Sequence, residues 1–303
     1  MQNFGKVAVL MGGFSSEREV SLSSGEGIVE ALRSKGIDAH PFDPKETPLS
    51  ELKAQGFQTA FNILHGTYGE DGAVQGALEL MGMPYTGSGV AASALGMDKY
   101  RCKLIWSALG LPVPEFAVLH EDSDFDAIEA ELGLPMFVKP ANEGSSVGVV
   151  KVKEAGTLKA VYDELKHMRG EIIAERFIGG GEYSCSVLNN QALPSIQIIP
   201  ATEFYDYEAK YLRDDTVYRC PSDLNESDEA LMRSLAVKAA EAIGAYGCSR
   251  VDFLKDGTGK LYILEVNTLP GMTSHSLVPK AAAQVGMSYA DVCIEILKTA
   301  HVG

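Results

Sequence analysis

"CSRVDFLKDGTGKLYILEVNTLPG", residues 248–271, places two apolar runs on either side of Asp256-Gly257 and Gly259, the pattern of an antiparallel hairpin. A loop of about four residues, Gly257 to Lys260, would pair Asp256 with Leu261. The same register sets Asp252 opposite Glu265 and Arg250 opposite Asn267. Residues two apart on a strand share a face, so these four polar side chains gather on one patch. Val251, Phe253, Leu264 and Val266 fall on the other. Facing carboxylates repel by roughly 0.2–1 kcal/mol when exposed and by more when buried. A divalent cation removes the conflict, and all-oxygen ligation suits Mg²⁺ or Mn²⁺. The alternative is a plain solvent-facing polar strand face, which the apolar setting makes costly.

A second stretch, "FVKPANEGSSVGVVKV" at 137–152, interrupts two strands with small polar residues. Glycine lets backbone approach a ligand and aim N–H groups at anionic oxygens, and serine adds hydroxyl donors. Lys139 supplies a point charge suited to phosphate. An ordinary hairpin loop with a solvated lysine is the competing reading. Taken with the carboxylate patch, however, a lysine-bearing glycine flap points to a nucleoside triphosphate carried with Mg²⁺. A third stretch, "IIAERFIGGGEYS" at 172–184, could line a base pocket, with Glu182 near a ribose hydroxyl. No G-x-x-x-x-G-K-[ST] run occurs, and "GGFSSE" lacks dinucleotide-fold spacing.

Around these stretches the chain alternates strand and helix to about residue 95, which implies βαβ units and a parallel sheet. "KVAVLMGG" reads as a buried strand and "SSEREVSLSSGEGIVEALRSKG" as a helix, with Ser16 and Glu19 at capping-box spacing and Gly36 at its C-cap. A small α+β unit follows over 96–182 and a longer-stranded one from 183 to 303. The 303 residues, 46% hydrophobic, are ample for two or three domains. A net charge of −15 without a basic cluster argues against nucleic acid and anionic membrane. Five scattered cysteines without a C-x-x-C pair read as buried hydrophobes in a reducing compartment. With no signal region and no membrane span, a cytoplasmic location is expected.

Seven motifs, in order, resemble the D-alanine–D-alanine ligase family of the ATP-grasp superfamily. They are "GGFSSEREVSL" (12–22), "LHGTYGEDGAVQG" (64–76), "YTGSGVAASALGMDK" (85–99), "VKPANEGSSVGV" (138–149), "FYDYEAKY" (204–211), "SRVDF" (249–253) and "LEVNTLPGMTSHSLVP" (264–279). The resemblance covers essentially the whole chain. It implies a three-domain α/β and α+β architecture, with an N-terminal parallel-sheet domain (1–95) and two α+β domains (96–182 and 183–303) clasping ATP.

The resemblance also implies roles. Lys99 and Lys139 would hold ATP phosphates, under a flap containing Ser145 and Ser146. Glu175, Arg176, Phe177, Ile178 and Glu182 fall at nucleotide-pocket positions, though Arg176-Phe177 stands where Lys-Trp or similar pairs are common. Asp252, Glu265 and Asn267 would ligate two Mg²⁺ or Mn²⁺. Glu17, helped by His65, would bind the first D-alanine's ammonium. Ser276 and Leu277 would hold the second substrate's carboxylate. Lys210 would serve both ATP and substrate. Glu17, Ser145 and Tyr211 would form a hydrogen-bonded triad, and Arg250 with the Gly271 N–H would stabilise an oxyanion. The irregular stretch around 201–220 would be a lid, and a homodimer is expected. Two rivals remain: another ATP-grasp carboxylate–amine ligase, and a non-catalytic α/β ligand-binding protein.

Overall fold

The computed structural model describes residues 3–144, 147–201, 215–273 and 276–302. Strand β1 (Val7–Leu10) is buried along its whole length and runs through Gly12-Gly13 into helix α1 (Arg18–Ser34). β2 (Ala39–Phe42) and β3 (Thr59–Asn62) flank β1 in a parallel sheet of order β2-β1-β3. Continuous burial is what a sheet covered on both faces demands. Short helix α2 (Glu51–Ala54), then α3 (Ala73–Leu80), α4 (Val90–Gly96) and α5 (Lys99–Ala108) complete this part.

Gly36 closes α1 as its sequence position suggests: φ is +78°, and the Ile37 N–H reaches the Leu32 carbonyl at 3.1 Å. The other end corrects the capping-box expectation. Glu17, not Ser16, is the N-cap residue, and it makes no side-chain cap bond. Ser15 ties the turn instead, its Oγ accepting from the Glu17 N–H (3.2 Å) and donating to the His65 carbonyl (2.6 Å). The helix start is thereby fastened to the segment just past β3 rather than to its own first turn.

The middle of the chain forms β4 (Phe116–Leu119), α6 (Phe125–Leu132), β5 (Met136–Pro140), β6 (Val150–Val152), α7 (Leu158–Leu165) and β7 (Ile172–Arg176). The strands make an antiparallel sheet of order β4-β7-β5-β6. Met136, Val138, Val152, Ile172 and Ala174 pack with Leu132 of α6 and with Leu158 and Leu165 of α7. Strand alternation then sends Phe137, Lys139 and Glu175 to the opposite face.

The last part contains β8 (Glu182–Leu188), β9 (Gln191–Ala192), β10 (Ile196–Ile199), β11 (Val217–Arg219), α8 (Glu226–Ala242), β12 (Cys248–Lys255) and β13 (Leu261–Asn267). The antiparallel sheet runs β11-β10-β8-β12-β13, with β9 paired to β8. α9 (Leu277–Ala283) and α10 (Tyr289–Leu297) follow. Ala281, Val292 and Cys293 of these helices share one core with Val7, Ile28 and Leu32, so the two ends of the chain pack together.

The hairpin keeps the expected register at its open end: Arg250 pairs with Asn267 and Asp252 with Glu265. It slips at a bulge between Asp252 and Phe253, beyond which Phe253 pairs with Ile263 and Lys255 with Leu261. Leu264 is therefore only half-buried, and Ile263 takes its expected place beside Val251, Phe253 and Val266. The loop is Asp256 to Lys260, because Asp256 Oδ1 accepts from the N–H groups of Thr258 (2.8 Å) and Lys260 (3.0 Å) and is drawn into the turn.

All five cysteines are free thiols, four of them buried. Burial pushes Cys102, Cys185, Cys248 and Cys293 each up to about 12, so they behave as small apolar side chains. Among the described residues no helix is long and apolar enough to cross a membrane.

Candidate active site

The carboxyl ends of β1 and β3 build one wall. Gly12 and Gly13 sit at φ +80° and +77°. Their N–H groups donate to Ser21 Oγ (2.9 Å) and Asp43 Oδ1 (3.0 Å). That turn seats the first turn of α1 beside His65. A Cβ added at Gly66 would lie 3.0 Å from Glu17 Oε2, and one at Gly144 4.0 Å from it, so the Glu17 carboxylate stands between the β3 end and the flap. His65 is buried, and its Nε2 has no hydrogen-bond partner among the described residues. Burial pushes its imidazole below the ordinary value, the Glu17 carboxylate opposes this, and Arg250 reinforces it. His65 therefore stays neutral near pH 7.

Glu70 belongs to this wall and was missed in the sequence, although it lies inside "LHGTYGEDGAVQG". Its Oε1 accepts from the Gly66 N–H at 2.8 Å. Burial, then the charge of Glu17, pushes its carboxyl up to about 8.

The hairpin supplies the second wall. Asp252 is 5% exposed and accepts from Arg250 Nε (2.9 Å, on Oδ1), Arg250 Nη2 (2.8 Å, on Oδ2) and Ser184 Oγ (2.7 Å, on Oδ1). Arg250 Nε is shared with Oδ2 at 3.3 Å, so three donors occupy the carboxylate's roughly four acceptor sites. Arg250 is in turn held rigid by a two-point clamp. Glu265, facing Asp252, lies 3.4 Å from Lys99 Nζ, and Asn267 Oδ1 caps the Leu269 N–H at 2.9 Å. Two carboxylates and a carboxamide on one patch, each carboxylate facing a protein cation, form a donor set that fits a hard divalent ion. Ser184, on β8 opposite Asp252, ends the stretch at 172–184, where no role attached to it.

The middle sheet supplies the third wall. Lys139 is buried at the end of β5, with Nζ 2.8 Å from Glu175 Oε2. Lys103 of α5, fully buried and also unanticipated, places Nζ 3.0 Å from Glu175 Oε1. Its spacing from Lys99, four residues on one helix face, was the available signal. Burial would raise the Glu175 carboxyl, but Lys103 and Lys139 outweigh it and hold the group below its ordinary value. Lys99 Nζ donates to the Glu143 carbonyl (2.7 Å) and its N–H to the Ala141 carbonyl (3.0 Å), tying α5 to the base of the flap. Phe177 lies on the same sheet face, 5.9 Å from the Phe137 ring and under Lys151 Nζ at 4.0 Å. Ile178 is buried, and Glu182 opens β8 beyond Gly179-Gly180-Gly181.

At two expected positions the side chain turns away from the site. The Arg176 side chain falls on the opposite face from Glu175: its Nε donates to the Leu132 carbonyl (3.2 Å), and Nη2 pairs with Glu115 at 2.5 Å. Alternation along β7 removes that side chain from the face that carries Lys139 and Glu175, leaving only the backbone there. Leu277 is 6% exposed and packs into the core with Val278, so its side chain is structural. Its neighbour Ser276 accepts from the Thr273 N–H at 2.9 Å. A Cβ on Gly271 would stand 3.2 Å from Ser276 Oγ, so glycine permits that close approach. Ser145, Ser146, Lys210 and Tyr211, with most of the expected lid, lie outside the described residues.

With the three walls in place, comparison with known proteins is informative. The family model "D-ala D-ala ligase C-terminus" matches residues 105–298, and "D-ala D-ala ligase N-terminus" matches 44–88. The chain is 81% identical over 304 aligned positions, spanning 100% of both chains, to a D-alanine–D-alanine ligase of Neisseria meningitidis serogroup B. Among solved structures, a D-alanine–D-alanine ligase of Bacillus anthracis complexed with ATP superposes with a TM-score of 0.83 at 32% identity, covering 97% of each chain. The VanG D-Ala:D-Ser ligase of Enterococcus faecalis gives 0.84 at 30% identity, covering 98% of this chain and 99% of that one.

Proposed function

The chain belongs to the D-alanine–D-alanine ligase family of ATP-grasp fold, and from that premise we propose that it joins two D-alanine molecules into D-alanyl-D-alanine with ATP, through a D-alanyl phosphate, for peptidoglycan precursors. The observation that carries the reading is convergence. Lys139, backed by the buried Lys103, and the anionic patch of Asp252 and Glu265 are joined by Lys99, which touches Glu265 and the flap base together. Such an arrangement suits a triphosphate lying between sheet and hairpin.

In this mechanism Glu17 and neutral His65 accept the ammonium N–H groups of the first D-alanine. Its carboxylate oxygen attacks the γ-phosphorus, the bond to the β-phosphate oxygen breaks, and ADP leaves with an acyl phosphate formed. The second D-alanine, its carboxylate held by Ser276, presents its amine to the acyl carbon. The carbonyl oxygen becomes a tetrahedral oxyanion, stabilised by Arg250 and the Gly271 N–H. Collapse expels inorganic phosphate, and the amine loses a proton as the peptide bond forms. Clamping of Arg250 by Asp252 keeps that donor oriented before charge develops. Mg²⁺ or Mn²⁺, held by Asp252, Glu265 and Asn267, would neutralise phosphate charge when bound. Acyl phosphates hydrolyse, so Ser145 and Ser146 on the flap and the Lys210–Tyr211 segment would exclude water, with Tyr211 and Ser145 joined to Glu17. The proposal divides the chain into domains at 1–95, 96–182 and 183–303, and expects a cytoplasmic homodimer.

Phosphate release from Mg-ATP tests the reading, run with D-alanine, D-serine, D-lactate and L-alanine. D-alanine alone should drive turnover and yield the dipeptide. Turnover with L-alanine or only with a different amine, or none at all, would overturn it.

A further inference from the structure

Glu175 faces more positive charge than one carboxylate needs. Its buried carboxylate faces two ammonium groups, Lys103 on Oε1 at 3.0 Å and Lys139 on Oε2 at 2.8 Å. The two lysines are not equivalent. Lys139 stands one residue from the end of β5, where Pro140 leads into the flap. Lys103 projects from the interior of α5, is 0% exposed, and lies 6.0 Å from the centre of the Phe116 ring. A phosphate entering under the flap can meet Lys139 but not Lys103.

We propose that Lys103 is a positioning residue: it is the permanent counter-ion of Glu175, which frees Lys139 to exchange its carboxylate partner for a nucleotide phosphate. The inference rests on the ATP-dependent reading above. Its physical basis is the asymmetry of buried ion pairs: removing one partner leaves an uncompensated charge, which is strongly unfavourable. If Glu175 had Lys139 alone, every nucleotide that drew Lys139 away would strand a carboxylate 3% exposed to water. With Lys103 in place the carboxylate stays paired throughout. Burial pulls the Lys103 ammonium below its ordinary value and the Glu175 charge opposes this; with both lysines protonated the resting cluster carries one surplus positive charge, which an incoming polyphosphate would relieve. The Phe116 ring, cross-strand neighbour of Glu175, covers the inner lysine, so water cannot substitute for it.

The test is a double-mutant cycle on Lys103→Met and Glu175→Gln, reading KM for ATP, KM for D-alanine and thermal stability. Lys103→Met should raise KM for ATP by about 10- to 100-fold while KM for D-alanine stays within about 3-fold. In the Glu175→Gln background the same change should move KM for ATP by less than about 3-fold, because no buried charge remains to be countered. Lys103→Arg, which keeps the charge, should recover most of the lost ATP affinity. An equal rise in both backgrounds, or a parallel rise in KM for D-alanine, would overturn the proposal. Should Lys103→Met alone fail to fold, the double variant against Glu175→Gln decides, a change above about 10-fold counting against it. A parent protein that does not turn over ATP with D-alanine would defeat the ligase reading itself, before any variant is made.

Discussion

Asp252→Asn should separate the structural and chemical duties of the hairpin. The parent carboxylate, 5% exposed, accepts from Arg250 Nε and Nη2 and from Ser184 Oγ. Asparagine keeps Oδ1, and with it the Arg250 Nε and Ser184 contacts. It replaces Oδ2 by an amide nitrogen that cannot accept from Nη2. One charge-assisted bond is lost, worth about 1.5–3 kcal/mol, and Arg250 loses its counter-charge. Arg250 has a side chain 16% exposed, so water screens part of that loss. A destabilisation of about 2–3 kcal/mol follows, near 2–4 °C in melting temperature per kcal/mol for a chain somewhat smaller than this one. The effect on catalysis should be larger. On the proposed mechanism a metal-ligand charge beside the triphosphate would disappear and the Arg250 oxyanion donor would loosen, lowering kcat/KM by about 10²–10³. Phosphate release with D-alanine and Mg-ATP, beside a thermal melt, reads both quantities. A melt shifted as expected with kcat/KM within about 3-fold of the parent would refute the chemical role and leave Asp252 only a packing duty.

Glu265→Ala should abolish Mg²⁺-dependent turnover yet leave the fold intact, because Lys99 keeps the Glu143 carbonyl; undiminished activity at low Mg²⁺ would show the metal patch to be elsewhere. Glu70 holds its proton to about 8 when folded against 4.5 ordinarily, so its contribution to stability is complete below pH 4.5 and is lost as pH rises toward 8. Glu70→Gln should flatten that decline, by on the order of 1–3 kcal/mol at pH 9, and superimposable stability–pH curves would contradict this. At Gly180 an added Cβ would fall 2.4 Å from the Lys255 carbonyl oxygen and 2.5 Å from that of Asp256. Gly180→Ala should therefore cost about 2–4 kcal/mol, and an unchanged melt would show that the glycine run yields more easily than its packing suggests.

The hairpin shows how far one sequence carries a structural argument. Alternation and turn chemistry locate Arg250, Asp252, Glu265 and Asn267 on one patch, and the strand pairing agrees. The same reasoning misplaces Leu264, because a bulge is a tertiary adjustment with no period of its own. Parallel order in the first sheet follows from the strand–helix alternation. The Ser16–Glu19 box does not form, since Ser15 bonds the His65 carbonyl, a partner far along the chain that local spacing cannot reveal. Lys103 is illegible for a related reason: burial of a charged residue on helix α5 depends on Glu175 arriving from strand β7. Arg176 and Leu277 stood inside recognised motifs, but a motif records that a position matters without saying whether backbone or side chain is used.

The proposed ligase chemistry depends on the Asp252–Glu265 patch holding the metal that accompanies ATP. Anomalous diffraction from crystals grown with Mn²⁺ and ATP addresses this directly. Density for manganese bonded to oxygens of Asp252, Glu265 and Asn267, with the triphosphate reaching toward Lys139, is the expected result. Manganese bound at a distance from all three, with ATP ordered in the cleft, would contradict it.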